Sequence, residues 1–298
     1  MLRFGVSALS APDGEAWRAD ARRFAAAGFD TLWVPDHVGL FDPFPAVTAA
    51  AVAAPTLTVG TYVLNVELWN PLLLARVVAT THLLTDGRLV VGLGAGHAAE
   101  EFAQAGLRYP SAGERVGRLE ATVPALRRLL AGETVDDEWL GLAQAATGLA
   151  PVDTPLLVGG NGDRVLDLAG READIVGLVG VTSGTGRTHS NLSHWGWEGL
   201  ADRLGRARRA AEAAGRSVAV DILVQRARVT DDPAAALADF VDAGLRADMF
   251  DSPFLLVGNE DEVVARLERL HGEHGVDGVT VFAHDAEALA PVIARLRA

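Results

Sequence analysis

A chain of 298 residues with 49% hydrophobic and 22% charged residues, 32 glycines and 13 prolines has the make-up of a folded, turn-rich protein rather than a disordered one. Its formal charge of -13 makes nucleic acid a poor partner, and without cysteine there is no disulfide, thiolate nucleophile or zinc-thiolate site. No run reaches the ~18 apolar residues of a membrane span, and MLRFGVSALS lacks the apolar core of a signal peptide, so a cytoplasmic address is expected.

Short β-type runs alternate with longer segments of helical period. RFGVSAL (3–9) precedes GEAWRADARRFAAAG (14–28), in which Trp17, Ala21, Phe24 and Ala25 share one helical face. DTLWV (30–34) leads through a Pro-rich loop into AVTAAAVAA (46–54), and TLTVGTYVL (56–64) leads into PLLLARVVATTHLL (71–84), which Pro71 is suited to start. RLVVGLG (88–94) supplies a fourth strand. The second half continues with TPLLVGG (154–160) and DRVLDLAGR, ADIVGLVG (173–180) and WEGLADRLGRARRAAEAAG, then VAVDILVQRARV (218–229) and PAAALADFVDAG. It closes with NEDEVVARLERLHGEHG, the strand DGVTVFA (277–283) and a terminal helix from Asp285. Strands alternating with helices predict an α/β fold with a parallel sheet, and their number is that of a (β/α)8 TIM barrel, one domain over residues 1–298. Two looser stretches, 133–153 and 181–197, read as insertions after strands on the C-terminal face.

In such a barrel the residues after each strand line one mouth. Asp36 and His37 follow the second strand, although Asp is also an ordinary helix cap. The third strand end supplies Tyr62, Val63, Leu64 and Asn65, and the fourth supplies GLGAGHAAEE (92–101). Gly94-x-Gly96-x-x-Ala99 fits the dinucleotide fingerprint, yet it lies on the fourth strand and no strand ending in an acid follows at the required distance. Gly159, Gly160 and Gly162 open directly into a helix, a turn whose free N–H groups suit a phosphate, with Arg164 to add positive charge; the plainer reading is a tight turn. His97 with Glu100 and Glu101, and His271 with His274, have ligand-like spacing without a zinc helix signature, so no metal is expected. No G-x-S-x-G elbow supports serine hydrolysis.

Four stretches in order, AAAGFDTLWVPDH (25–37), VGTYVLNVELWNPLLLARVVATTHLLTDGRLVVGLGAG (59–96), PLLVGGNGDRVLDLAGREADIVGL (155–178) and VGNEDEVVARLERLHGEHGVDGVTVF (257–282), resemble the luciferase-like monooxygenase superfamily. These are bacterial luciferase-type TIM barrels that bind FMN or the deazaflavin coenzyme F420, and the chain looks most like the F420-dependent oxidoreductase branch. The resemblance implies hydride transfer between F420 and a small organic substrate, as in reduction of an activated C=C, C=N or C=O bond. An FMN-dependent monooxygenase is the alternative, and a non-enzymatic flavin-fold binding protein a third. It also implies His37 near the deazaflavin C5 with Asp36 supporting it, and a non-prolyl cis peptide at Tyr62–Val63 behind the ring. Ala95, Gly96 and His97 would line the cofactor, Gly159, Gly160 and Asn161 would hold its phosphate, and the protein would be a homodimer. One departure concerns His97, which aligns where the sugar-phosphate dehydrogenases of the superfamily carry a glutamate general acid; an imidazole there could shuttle a proton or only donate a hydrogen bond. Phe41, Phe44, Trp69, Trp195 and Trp197 are candidates for an apolar substrate wall, and selectivity is expected in loops 38–45, 66–70 and 181–197.

Overall fold

Eight parallel strands close into a barrel in which β8 returns to pair with β1. They are β1 (Arg3–Ser7), β2 (Thr31–Val34), β3 (Thr58–Asn65), β4 (Leu89–Gly94), β5 (Leu156–Gly159), β6 (Ile175–Val179), β7 (Ala219–Leu223) and β8 (Gly278–Phe282). The computed structural model describes all residues except 181, 184–189, 239, 241–245 and 247–248. Part of the expected 181–197 loop and of the helix expected at 233–244 therefore lies outside the described residues.

The described helices are α1 (Gly14–Ala26), α2 (Pro43–Ala53), α3 (Pro71–Leu84), α4 (Ala99–Gln104), α5 (Ala112–Leu130), α6 (Asp163–Glu172), α7 (Trp197–Ala213), the short α8 (Pro233–Ala236), α9 (Glu260–Gly272) and α10 (Ala286–Arg297). Local chemistry sets their ends: Asp13 caps α1, Asn70 caps α3 with Pro71 behind it, and Asn259 with Glu262 forms a capping box on α9. None of the described helices is long and apolar enough to cross a membrane. A continuous apolar layer, including Phe4, Phe24, Leu74, Leu126 and Leu204, fills the space between strands and helices.

Three expectations change. Residues 133–153 do not follow a strand: they leave α5, a helix the sequence reading left unassigned although Ser111 and Glu114 form a capping box at its start, and they fold as a hairpin of Val135–Asp137 with Leu142–Ala145. The run 218–229 is not one strand, because β7 stops at Leu223 and Arg226–Val229 leaves the barrel to pair in parallel with Leu255–Gly258. Asp285 sits before α10, yet its buried carboxylate accepts from the Ala227 N–H at 2.8 Å and meets Arg228, tying that outer pair to the final helix.

The barrel interior is a separate, smaller cluster of Trp33, Val90 and Leu157 with Tyr62, Val63 and Ile175. The Trp33 indole lies across both neighbouring strands, over Gly5 of β1 and Gly60 of β3, where a Cβ would strike its ring. Below it Asp221 is buried, its Oδ1 accepting from Thr280 Oγ1 at 2.8 Å. Burial pushes this carboxyl up to about 7, against the smaller opposing effects of the Thr280 hydrogen bond and Arg3.

This shift predicts a pH dependence of stability. The unfolded chain ionises Asp221 near 3.8 while the folded chain keeps the proton until about 7. The stabilisation is thus complete below the first value and is lost as pH rises through the second, a change of up to about 4 kcal/mol. Asp221→Asn, whose amide oxygen still accepts from Thr280, should gain on the wild type over that window in urea unfolding. Parallel stability curves for the two proteins would show that Asp221 is ionised in the fold.

Candidate active site

In a barrel of parallel strands the segments after β2, β3, β4 and β5 emerge on one rim, so the fold itself brings the expected residues together. The floor of that rim is the top of β3. Its pairing with β4 shifts register between Thr61 and Leu64, and the Tyr62–Val63 peptide is cis, as the resemblance implied. Thr61 Oγ1 fills the gap in the ladder, donating to Gly92 O at 3.0 Å and accepting from Gly92 N–H at 2.9 Å. The Val63 methyls occupy space left by two glycines: a Cβ on Gly94 or Gly159 would come within 2.6 or 2.8 Å of them. The Tyr62 ring turns down into the barrel, edge-on to Trp33 at 5.4 Å, and its hydroxyl donates to Asp221 O at 3.4 Å. Only the backbone of Tyr62 remains near the rim.

Asp36 does not support His37 directly. Its Oδ2 accepts from Trp69 Nε1 at 2.9 Å and from the Asn65 N–H at 3.2 Å, which fastens the loop after β3 from the inside. Burial raises its carboxyl above the ordinary value, and those neutral donors offset only part of the effect. Arg118 of α5 holds the same loop from outside through Val66 O and Trp69 O, at 3.3 and 3.1 Å. The Asn65 side chain accepts from Glu67 N–H at 3.1 Å and covers the Cα of Gly96, whose φ of +72° and crowded face both require glycine.

The imidazole of His37 is held by a residue not assigned from sequence: its Nδ1 lies 2.6 Å from Glu101 Oε1, on the first turn of α4. In the sequence Glu101 stands out only for its spacing to His97, and the contact spans 64 residues, so no local pattern announces it. The His97 ring stands perpendicular to His37 at 5.9 Å. Burial, and next the neighbouring His37, hold His97 below the ordinary imidazole range. Its carbonyl accepts from Tyr109 OH at 3.0 Å, and Arg115, which lies over the Tyr109 ring, donates to Gly96 O at 3.0 Å, so Ala95, Gly96 and His97 sit on a braced strand end.

The glycine turn after β5 shares the rim. Gly160 has φ +150° and its N–H is already given to Gly177 O at 3.0 Å. The buried Asn161 side chain bridges to the backbone of Val179, so only its main chain is left for a ligand. The α6 helix starts at Gly162 with no side-chain cap, which leaves its first N–H groups for an anion. Arg164 points elsewhere, paired with Glu120 on α5, whereas Arg203 of α7 reaches this turn, donating to Asn161 O at 3.3 Å and Asp163 at 2.5 Å. Of the expected aromatic wall, Trp69 and Phe44 pack together at 5.3 Å, while Trp195 is buried on Phe254 and Trp197 stacks on His274.

With a closed parallel barrel, a bulged third strand and two imidazoles on its rim, the chain matches the family model described as luciferase-like monooxygenase over residues 3–278. It belongs to that family. Among curated proteins it is similar to the F420-dependent glucose-6-phosphate dehydrogenase of Amycolatopsis mediterranei, 31% identical over 199 residues, which cover 62% of this chain and 59% of the relative's length. Its fold is similar to a coenzyme F420-dependent tetrahydromethanopterin reductase from Methanopyrus kandleri (TM-score 0.79, 18% identity, 99% of each chain). It is also similar to an F420-dependent secondary alcohol dehydrogenase (TM-score 0.81, 19% identity, 100% of this chain and 99% of the other). At those identities the structural likeness speaks to the fold alone.

The glycine floor is testable without any ligand. Gly94→Ala should cost about 1–3 kcal/mol, because the added methyl displaces Val63 from a closed space. Gly113→Ala, in a helix and facing open space, should instead be neutral or stabilise by up to about 1 kcal/mol. Equal urea midpoints for the two variants would mean that the floor yields.

Proposed function

We propose that this protein is a coenzyme F420-dependent oxidoreductase that moves a hydride between the deazaflavin and a small organic substrate. The observation that carries the reading is the sharing of one rim by the bulged Val63, the His37–His97 pair and the uncapped start of α6. The F420 dependence of the relatives named above supports the choice of deazaflavin over flavin.

The residues present fit such a group. The Asn161 main chain and the open backbone at the start of α6 would hold its phosphate, and Gly160, with no side chain, leaves room for its approach. Val63, on its floor of Gly94 and Gly159, would back the ring system, with Ala95 and Gly96 at its side. When bound, the deazaflavin supplies two-electron hydride exchange at carbon. The protein supplies orientation, proton handling and the exclusion of water. His37 is the residue placed to hold or move a proton, with Glu101 behind it. His97, whose pKa is lowered by partial burial and by the neighbouring His37, can in its neutral form donate one hydrogen bond and accept another. Trp69 forms an apolar edge of the mouth with the buried Phe44 packed behind it, and the aspartate that locks Trp69 keeps that edge in place. The homodimer implied by the resemblance belongs to the same proposal, with the exposed Leu73, Leu83 and Leu84 of α3 as a supporting surface.

Titration of the purified protein with each cofactor tests the reading: micromolar binding of F420 with negligible binding of FMN is expected. The reverse preference would make the protein an FMN-dependent monooxygenase of the same family, and binding of neither would remove the enzyme assignment. Gly160→Val should weaken F420 binding at least tenfold, about 1.4 kcal/mol, because a side chain there is strained at φ +150° and crowds Val165. Unchanged affinity would place the phosphate elsewhere.

A further inference from the structure

We propose that Glu101 is the positioning residue for His37: its carboxylate holds the imidazole in the Nδ1–H tautomer, so that a lone pair on Nε2 faces the mouth. The contact is 2.6 Å, and Glu101 keeps only 14% of its side chain exposed while His37 keeps 39%, so the acid lies behind the ring and the ring lies toward the opening. Among the described residues His37 is the one ion-pair partner within reach of this carboxylate. A carboxylate accepts and cannot donate, so the imidazole nitrogen facing it must carry the proton. The two ring nitrogens lie on separate edges, so Nε2 is directed away from Glu101.

Glu101 is itself fixed. The next residue, Phe102, is fully buried and packs edge-on against Tyr109 at 5.0 Å, and Tyr109 in turn binds His97 O. Its neighbour Glu100 is exposed, so the two acids of the α4 first turn divide into one that faces water and one that faces the site. The His97 ring stands perpendicular to His37 at 5.9 Å, and among the described residues Glu101 is the hydrogen-bond partner of the His37 imidazole, so this contact decides which nitrogen is protonated. Asp36 cannot take this part, since its hydrogen bonds go to Asn65 and Trp69.

The consequence is direction. An Nε2 lone pair at the mouth takes a proton from a bound substrate, so His37 in this tautomer begins the cycle as a base. That role rests on the oxidoreductase reading; the tautomer does not.

The test uses the whole protein labelled with 15N and long-range 1H–15N correlation of its 8 histidines above neutral pH, with the His37 signals identified by their loss in His37→Gln. His37 should be almost wholly the Nδ1–H form, against the Nε2–H form that free imidazole prefers. Glu101→Met, which fills the same volume without an acceptor, should return most of the population to Nε2–H, while F420 affinity stays within about threefold because no phosphate contact is altered. Glu101→Ala serves as the second variant with the same expectation. A predominantly Nε2–H His37 in the wild type overturns the proposal, as does an Nδ1–H form that survives in the folded variants. A protein that binds no F420 yet shows the Glu101-dependent tautomer would sink the functional reading and leave this assignment standing.

Discussion

The interior of the barrel has room for few large side chains, and the molecule is organised by which strand supplies them. Trp33 enters from β2 and takes the space of Gly5 and Gly60; Tyr62 enters from β3 and takes that of Gly177; Val63 takes that of Gly94 and Gly159. Each large group needs a residue without Cβ on another strand of the barrel, because packed interiors do not stretch to admit another methyl. The bulge at the top of β3 is therefore fixed by side chains on other strands as well as by its own ladder, in which the Thr61 hydroxyl replaces a missing backbone pair. A ligand at the mouth rests on a filled core.

Above that floor, two acids of similar burial do different work because of the donors they meet. Asp36 meets neutral N–H groups and locks the 65–69 loop, and burial outweighs those donors and the nearby His37 in its titration. Glu101 meets an imidazole and locks the ring that faces the opening. Removing either donor set would leave a buried carboxylate short of partners, which costs more than the same loss at a surface. The rim is thus ordered by groups that do not themselves face the substrate.

Much of the architecture was legible because parallel barrel strands are apolar throughout and end at polar or glycine residues, so DTLWV, RLVVGLG and TPLLVGG stood out. Once the strands were placed, His37, Asn65, Gly96 and Gly159 fell on one rim by topology. Other features depended on distances that a sequence does not display. Arg164 was adjacent to the glycine turn in sequence, but Glu120 on the neighbouring helix captures it, while Arg203, 42 residues from Asn161, reaches the turn instead. Glu101 was hidden for the same reason. The 218–229 run misled because an apolar stretch carries no mark of where it leaves one sheet for another; Val224 N–H still bonds to Thr280 O on β8, and Gln225 N–H already bonds outward to Phe254 O. The α5 helix was different, since the Ser111–Glu114 capping box lay in plain view.

A filled interior also decides where selectivity resides. With Val63 closing the barrel from below, a substrate can meet the protein only through the rim and the loops above it. Two of those loops are joined: Asp42 caps the first turn of α2 by accepting from Phe44 N–H at 3.0 Å, and the Phe44 ring packs on Trp69, which Asp36 holds. The 38–45 and 66–70 loops are therefore coupled through one aromatic contact. A substitution at Phe44 would be felt at Trp69, and through it at Asp36, the residue next to His37.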